Sequence, residues 1–421
     1  MSIFKAFLRK AINEVFTPRN AFVNENMYIE RPDLENALKR KIRGTQNIIV
    51  YGESGCGKSW LYKKVLSELE IPYHTVNLAN ASINEGIIKQ IENELLEDSP
   101  RKIGYTEKKY AEANAGVGKG GLDHNNSYVI EQREPILRLF EKMSRIAKRK
   151  KDSFVVFENL EKIFSDRKLM NELGSLIILL DDEKYAEYNV RFIIVGVPSS
   201  VLEYYSKTKN LETVSNRLVS IPEVSRLSRE QVKDFVETGF VQELKIDLHR
   251  PGLFDSYFNH IEWITSRIPQ KLHEYCEEIS FLCEENNWIP EEQFLEQTDK
   301  IWLLNTLHKN YTVIDELMNS PGTKIGRRNQ VLYCLGKLES NIFTLVELER
   351  LLRTEFPQTT RERNLNLTVT LGDIVEHHNS FIKRSNSNYV ITDMQYILCI
   401  RAMLKQAEDE KIDKTSLEKI K

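Results

Sequence analysis

Apolar positions along this chain change their rhythm near residue 226. Before it, four short β-branched or aromatic runs read as buried strands: NIIVY (47–51), PYHTVNL (72–78), FVVF (154–157) and FIIVGV (192–197). Between them apolar residues recur at helical spacing, as in Leu61, Val65 and Leu69, in Ile83, Ile87, Ile88, Ile91 and Leu95, and in Leu169, Leu173, Leu176 and Leu180. Residues 133–150 form a further helical stretch running into the basic KRKK (148–151). Strands that alternate with helices predict an α/β unit with a parallel sheet and right-handed crossovers.

Beyond 226 the strand signals stop. Ser228 and Gln231 have the spacing of a capping box, and helices are expected from there to about 318. SPGTKIGRR (320–328) reads as a linker. After it come three helical stretches (329–339, 344–355, 364–377) and a period-two pair, FIKR and YVIT, joined by SNSN: the outline of a winged helix. Val331, Leu332, Leu335, Leu345, Leu348, Leu352, Leu367, Leu371 and Ile374 would share its core. The closing DEKIDKTSLEKIK reads as a solvated helical tail. The predicted organisation is a helical lead-in (1–45), an α/β core (46–225) with a polar insertion (98–130), an all-helical segment (226–318), a winged-helix-like domain (319–405) and a tail (406–421).

Composition narrows the function classes. At 421 residues with 41% hydrophobic and 29% charged positions, the chain reads as a soluble protein of several domains, and no apolar run suffices for a membrane span. The N-terminal MSIFKAFLRKAINEVF lacks the features of a secretory signal. Its Phe4, Phe7, Leu8, Ala11 and Val15 share a helical face, fitting a helix docked on its own body or a partner, or else one lying on a membrane surface. Five cysteines without a C-x-x-C pair point to a reducing, cytoplasmic setting, and neither they nor the eight histidines have zinc-ligand spacing. A net charge of −3 means that nucleic-acid binding would need a local basic patch.

The densest chemistry lies in GESGCGKS, residues Gly52, Glu53, Ser54, Gly55, Cys56, Gly57, Lys58 and Ser59, followed by Trp60. A glycine-rich turn between a strand and a helix lets backbone N–H groups converge on phosphates, and the helix dipole adds to the attraction. In that arrangement Lys58 reaches the β- and γ-phosphates of ATP, and the Ser59 hydroxyl meets Mg²⁺. Cys56 is expected to contribute its backbone N–H. GVGKGG (116–121) lacks the spacer and the flanking elements, and reads as a hairpin tip or mobile loop. Magnesium's water shell calls for a carboxylate ending a strand beside the phosphate-loop strand, and Glu158 supplies it. Asn159, next in the chain, cannot act as a base. Glu161 is either a base acting through water or a cap on the next segment. This pattern predicts slow hydrolysis.

GESGCGKS, FVVFENLEK and FIIVGVPSS…NRLVSIPEVSRLSREQVKDF together resemble AAA+ ATPases, in the branch of origin-recognition/initiator proteins, transposition ATPases and STAND switches. The resemblance covers about residues 26–285. It implies a P-loop sheet followed by a helical lid (226–318). It also places a polar γ-phosphate sensor at Ser199, which could equally cap the helix that follows. An arginine reaching a neighbouring subunit's nucleotide would be Arg217, with Arg226 as runner-up and an ordinary structural arginine as the other reading. The family has Asp where Glu158 stands, and a lid arginine where Gln270 stands, leaving Arg267 or Lys271 to substitute or that sensor lost. Tyr28 to Arg31 match a lead-in that contacts adenine.

In initiator relatives the winged helix binds DNA. Here Arg361, Arg363, Lys383 and Arg384 would meet phosphate and Asn364 and Asn366 base edges, while Glu362, Asp373 and Glu376 dilute the patch and leave a protein-contact or autoinhibitory role open. The resemblance implies an ATP-controlled switch that assembles as a homo-oligomer, in replication, mobile-element handling or antiphage defence. The competing reading is a hydrolysis-poor nucleotide-binding scaffold for an effector acting in trans.

Overall fold

The computed structural model describes residues 9–84, 86–97, 134–147, 152–196, 201–208, 212–320, 322–377 and 380–417. The insertion 98–130 with its GVGKGG stretch, the KRKK run and Ser199 lie outside them. The chain divides into two units, Arg31–Ser225 and Met1–Glu30 with Arg226–Lys421. Among the described residues no helix is long and apolar enough to cross a membrane.

The unit Arg31–Ser225 is built on a five-stranded parallel sheet flanked by helices. Its strands are β1 (Asn47–Tyr51), β2 (Tyr73–Asn77), β3 (Ser153–Glu158), β4 (Val190–Gly196) and β5 (Leu218–Ser220), in spatial order β2-β3-β4-β1-β5. β5 escapes a periodicity reading because it is three residues long. The order corrects one expectation: β3, which ends in Glu158, does not lie beside β1, because β4 pairs with both.

Strands β1, β3 and β4 are apolar at successive positions because both faces are covered. Ile49, Val155, Phe157, Phe192 and Ile194 face one core, with Ile91, Leu139 and Leu173 from helices. Ile48, Val50, Phe154, Val156, Ile193 and Val195 face the other, with Leu38, Leu61, Val65 and Leu66. The helices of this unit include α1 (Pro32–Ile42), α2 (Lys58–Glu68), α3 (Leu78–Ile83), α4 (Ile87–Glu97), α5 (Pro135–Ile146) and α6 (Arg167–Leu179).

The other unit is mostly helical. Its helices are α7 (Arg229–Val236), α8 (Leu253–Ile264), α9 (Pro269–Glu285), α10 (Gln293–Asn305), α11 (His308–Leu317), α12 (Arg327–Gly336), α13 (Leu345–Glu355), α14 (Leu367–Glu376) and α15 (Gln395–Met403). Both bonds of the Ser228–Gln231 capping box open α7. Strands β6 (Ile342–Thr344), β7 (Ile382–Ser385) and β8 (Asn388–Ile391) form an antiparallel sheet in the order β6-β8-β7. One continuous core runs from Phe235 through Leu303 and Ile314 to Leu335, Leu352 and Ile397, so the residues before and after the 320–328 stretch are packed together.

Two terminal segments also join this unit. A helical turn, Ile12–Val15, and Phe16 bury Ile12, Val15 and Phe16 among Phe235, Phe240 and His273, which docks the N-terminal segment on its own unit. The expected helical tail is corrected at 412–414. There Ile412–Lys414 is a strand, β10, paired antiparallel with β9 (Leu404–Gln406), and Thr415 N–H donates to the Met403 carbonyl. Ile412 is buried in that strand while Asp413 and Lys414 are exposed, so three residues carry no alternation that the sequence could show.

His273 ties the N-terminal segment down: its Nδ1 accepts a hydrogen bond from the Thr17 N–H at 3.1 Å, which requires a neutral ring. Burial pushes its pKa down to about 3. Because the unfolded chain takes up this proton near pH 6.5, the stability held by neutral His273 is complete above that pH and is lost as pH falls towards 3. Denaturant unfolding is expected to show a loss of about 1 kcal/mol per pH unit over that window from this group. A His273→Gln variant should flatten that part of the profile.

Candidate nucleotide site

Residues 52–59 connect β1 to α2 in a loop whose backbone only glycine suits. Gly52 has φ 151°, and a Cβ there would stand 2.3 Å from the Val224 carbonyl oxygen. Gly57 is left-handed (φ 87°) and caps α2, turning the amides of the helix start into the loop. Cys56 is buried in the core below, so its thiol faces packing rather than the loop mouth. The Arg31 guanidinium lies against the other side of the loop, with Nη2 3.2 Å from where a Gly57 Cβ would be, and Nη1 donates to the Ser225 carbonyl. Arg31 belongs to this unit, whereas Tyr28, read beside it in the lead-in, belongs to the other.

Lys58 folds back over the loop. Its Nζ donates to the Gly52 carbonyl at 2.8 Å and to the Glu53 carbonyl at 2.7 Å. Burial lowers its pKa, and the opposing charges that support its cationic form are Cys56, Glu161, Glu53 and Glu223. A half-buried ammonium whose hydrogen bonds go to carbonyls is a strong attractor for an anion.

Ser59 and Glu158 meet directly although β4 separates their strands. Helix α2 packs on β4, and this carries Ser59 to the end of β3, where its Oγ donates to Glu158 Oε1 at 2.6 Å. Tyr62, one turn further along α2, donates to the same oxygen at 3.0 Å and lies 3.5 Å from Thr75 Oγ1. Burial, and next the charge of Glu158, pushes the Tyr62 phenol far above its ordinary range, so it stays a donor. Sequence reasoning missed Tyr62. Its only signal is the three-residue spacing from Ser59, which a helix converts into a shared face.

Asn159 takes the left-handed conformation (φ 62°), and its Nδ2 donates to Asn77 Oδ1 at 2.8 Å. Asn77, at the end of β2, also caps α3 through the Ala79 N–H. The side chain after Glu158 is therefore an amide held sideways. Glu161 is exposed, with its Oε2 3.5 Å from where a Gly196 Cβ would be, at the end of β4. The loop, Lys58, Ser59, Glu158 and Glu161 are thus brought together at the carboxyl ends of β1, β3 and β4.

Arg217 lies just before β5 and is engaged within the chain. Its Nε donates to Asp181 Oδ2 at 2.6 Å and its Nη1 to the Thr213 carbonyl at 2.7 Å. In the other unit, Gln270 Nε2 and Lys271 Nζ both hold Glu274, at 2.9 and 2.6 Å, while Arg267 Nη1 donates to Glu262 at 3.1 Å. Arg226 Nη1 donates to the Glu339 carbonyl at 3.1 Å. Of the expected basic surface, Arg361 is exposed and pairs loosely with Glu362 at 3.8 Å, and Arg363, Lys383 and Arg384 are exposed. Ile342, Val346 and Val369 are exposed apolar residues of the same segment.

A parallel sheet whose first strand runs through a glycine-rich loop into a helix beginning Lys-Ser defines a P-loop nucleotide-binding fold. Residues 40–204 match the family model described as the AAA domain. Among solved structures the chain is similar to the Walker-type ATPase PABY2304 of Pyrococcus abyssi, at 14% identity and a TM-score of 0.49, covering 89% of this chain and 96% of that one. It is also similar to Cdc6p from Pyrobaculum aerophilum, at 15% identity and a TM-score of 0.44, covering 93% and 97%. A third is the ADP form of the Aeropyrum pernix ORC2 protein, at 11% identity and a TM-score of 0.46, covering 93% and 97%. No curated protein matches the chain.

Proposed function

We propose that the chain is a slow, Mg²⁺-dependent ATPase acting as a molecular switch, in which nucleotide state controls self-assembly and engagement of DNA or a partner protein. The observation that carries this reading is the 2.6 Å contact between Ser59 and Glu158 beside the Lys58-capped loop. A hydroxyl and a carboxylate at that spacing suit a hard, oxygen-seeking dication. Bound there, Mg²⁺ would neutralise charge building on the transferring phosphate.

The chain's own residues do the rest. The loop amides and Lys58 bind and orient the phosphates, and Trp60 enters α2 beside them. Glu161, near Lys58 and the end of β4, is the carboxylate able to take a proton from attacking water, with Ser199 as the proposed sensor. Arg217, released from Asp181, would reach a neighbouring subunit's nucleotide. Helices α12, α13 and α14 with strands β6, β7 and β8 have the order of a winged helix, through which Arg361, Arg363, Lys383 and Arg384 would contact DNA. The reading places the protein in the cytoplasm, with replication, mobile-element handling and antiphage defence as its settings. A hydrolysis-poor scaffold serving an effector in trans is favoured by one feature: Asn159 offers an amide, tied to Asn77, where a base would stand.

Turnover and light scattering, measured without nucleotide, with ATP and with a hydrolysis-resistant analogue, with and without duplex DNA, separate the two. The switch reading expects ATP-dependent assembly and a turnover that drops roughly a hundredfold in Glu158→Gln. Turnover unchanged by that substitution would remove Glu158 from the site. Assembly without turnover in either arm would favour the scaffold.

A further inference from the structure

We propose that Tyr62 is a positioning residue for Glu158, fixing which carboxylate oxygen faces the metal. The inference rests on the reading that Ser59 and Glu158 hold the metal of a nucleotide site.

Ser59 and Tyr62 are three residues apart on α2, so their hydroxyls lie on one face of the helix. Both donate to the same atom, Glu158 Oε1, at 2.6 and 3.0 Å. Among the described residues no hydrogen bond reaches Oε2, which leaves that oxygen for the metal's water shell. Tyr62 is wholly buried, and its ring is wedged edge-on against Tyr73, with centroids 5.7 Å apart at 89°. A second hydroxyl, Thr75 Oγ1 on β2, stands 3.5 Å from the phenol oxygen. The donor is therefore rigid before any ligand arrives.

This support answers a problem created by the glutamate. Where the family pattern has aspartate, Glu158 has one more rotatable bond, and freezing that torsion costs free energy unless another group holds it. Ser59 is a poor sole anchor, since its oxygen is also a metal ligand in the proposed site. Tyr62 has no such second duty. A glutamate clamped by a tyrosine from the phosphate-loop helix thus replaces a shorter, self-restrained aspartate.

The test uses the full chain and a fluorescent ATP analogue, titrated with Mg²⁺ at fixed nucleotide and separately bound in excess chelator. Tyr62→Phe removes one oxygen and keeps the ring. Losing a hydrogen bond to a charged group is expected to raise the half-saturating Mg²⁺ about tenfold, with chelator affinity and the melting temperature unchanged. Glu158→Asp should raise it similarly, and the double variant should show no further rise, because the two groups act as one unit. A half-saturating Mg²⁺ unchanged in Tyr62→Phe overturns the proposal, as does a fall in affinity of the same size in chelator, which marks general damage. Should Tyr62→Phe fail to fold, Glu158→Asp alone decides, since it draws the carboxylate back from the phenol; an unchanged value again overturns the idea. Wild-type binding that ignores Mg²⁺ would instead refute the site reading itself, a separate outcome.

Discussion

Lys58→Ala is expected to abolish Mg²⁺-dependent ATP turnover and to weaken ATP binding by one to two orders of magnitude. The lysine's ammonium caps the loop, and charge-assisted hydrogen bonds to phosphate contribute about 1.5–3 kcal/mol each. The effect on turnover exceeds that on binding because charge on the phosphate grows on the way to the transition state. Stability should move the other way. Burial lowers the Lys58 pKa, so the cation is held at a cost in the ligand-free protein. Lys58→Met should therefore unfold no earlier than the wild type without nucleotide, yet lose the upward shift that saturating ATP gives, about 2.7 kcal/mol at a hundredfold excess over Kd. Calorimetry with and without ATP checks both halves. A variant that keeps the ATP-induced shift would remove Lys58 from the phosphate site.

The largest stability effect is expected at Arg401. Its guanidinium joins two stretches far apart in sequence: Nε donates to the Gly336 carbonyl at 2.6 Å, Nη2 to the Leu338 carbonyl at 3.1 Å, and Nη1 to Ser266 Oγ at 2.7 Å and to the Trp263 carbonyl. The same group lies 3.9 Å from the centre of the Trp263 ring. Burial, followed by the charge of Arg226, pulls its pKa down to about 9. Arg401→Ala would strand several acceptors and uncover an indole face, at an expected loss of about 3–4 kcal/mol in denaturant unfolding. Arg401→Lys should recover only part of it, since one ammonium cannot match a planar fork. A loss below about 1 kcal/mol would show that water replaces the guanidinium at these carbonyls.

This brace also bears on the 320–328 stretch. The 226–318 helices and the residues beyond 326 share one core and are pinned together by Arg401 at α8, α12 and α15. A hinge at 320–328 would have to break that packing. Asn319 and Asn329 also bond across the stretch, Asn319 N–H donating to Asn329 Oδ1 at 2.7 Å and Arg328 N–H to Asn319 Oδ1 at 3.0 Å. Polar composition marked those residues as a linker; their side-chain bonds were not legible in it.

What could be read from the chain alone was whatever depends on local chemistry. Successive apolar residues in NIIVY, FVVF and FIIVGV announce strands buried on both faces, and three glycines followed by Lys58 and Ser59 announce a phosphate loop, because each signal is complete within a few residues. Glu158 was legible as an acid ending a strand. Strand order was not, since pairing is decided by how helices cover the sheet; only the fold shows β4 between β1 and β3, and α2 carrying Ser59 across it. The three-residue strands β5 and β6 fall below any period, and β10 gains its pairing from β9. Tyr62 carried no reading of its own and Asn77 only belonged to the expected strand 72–78 until the sheet brought them to Glu158 and Asn159. The sequence by itself marked the residues expected to hold phosphate. The tertiary structure decided which carboxylate oxygen is already occupied, and that Lys58 is buried enough to seek an anion, because hydrogen-bond geometry and burial exist only once distant segments meet.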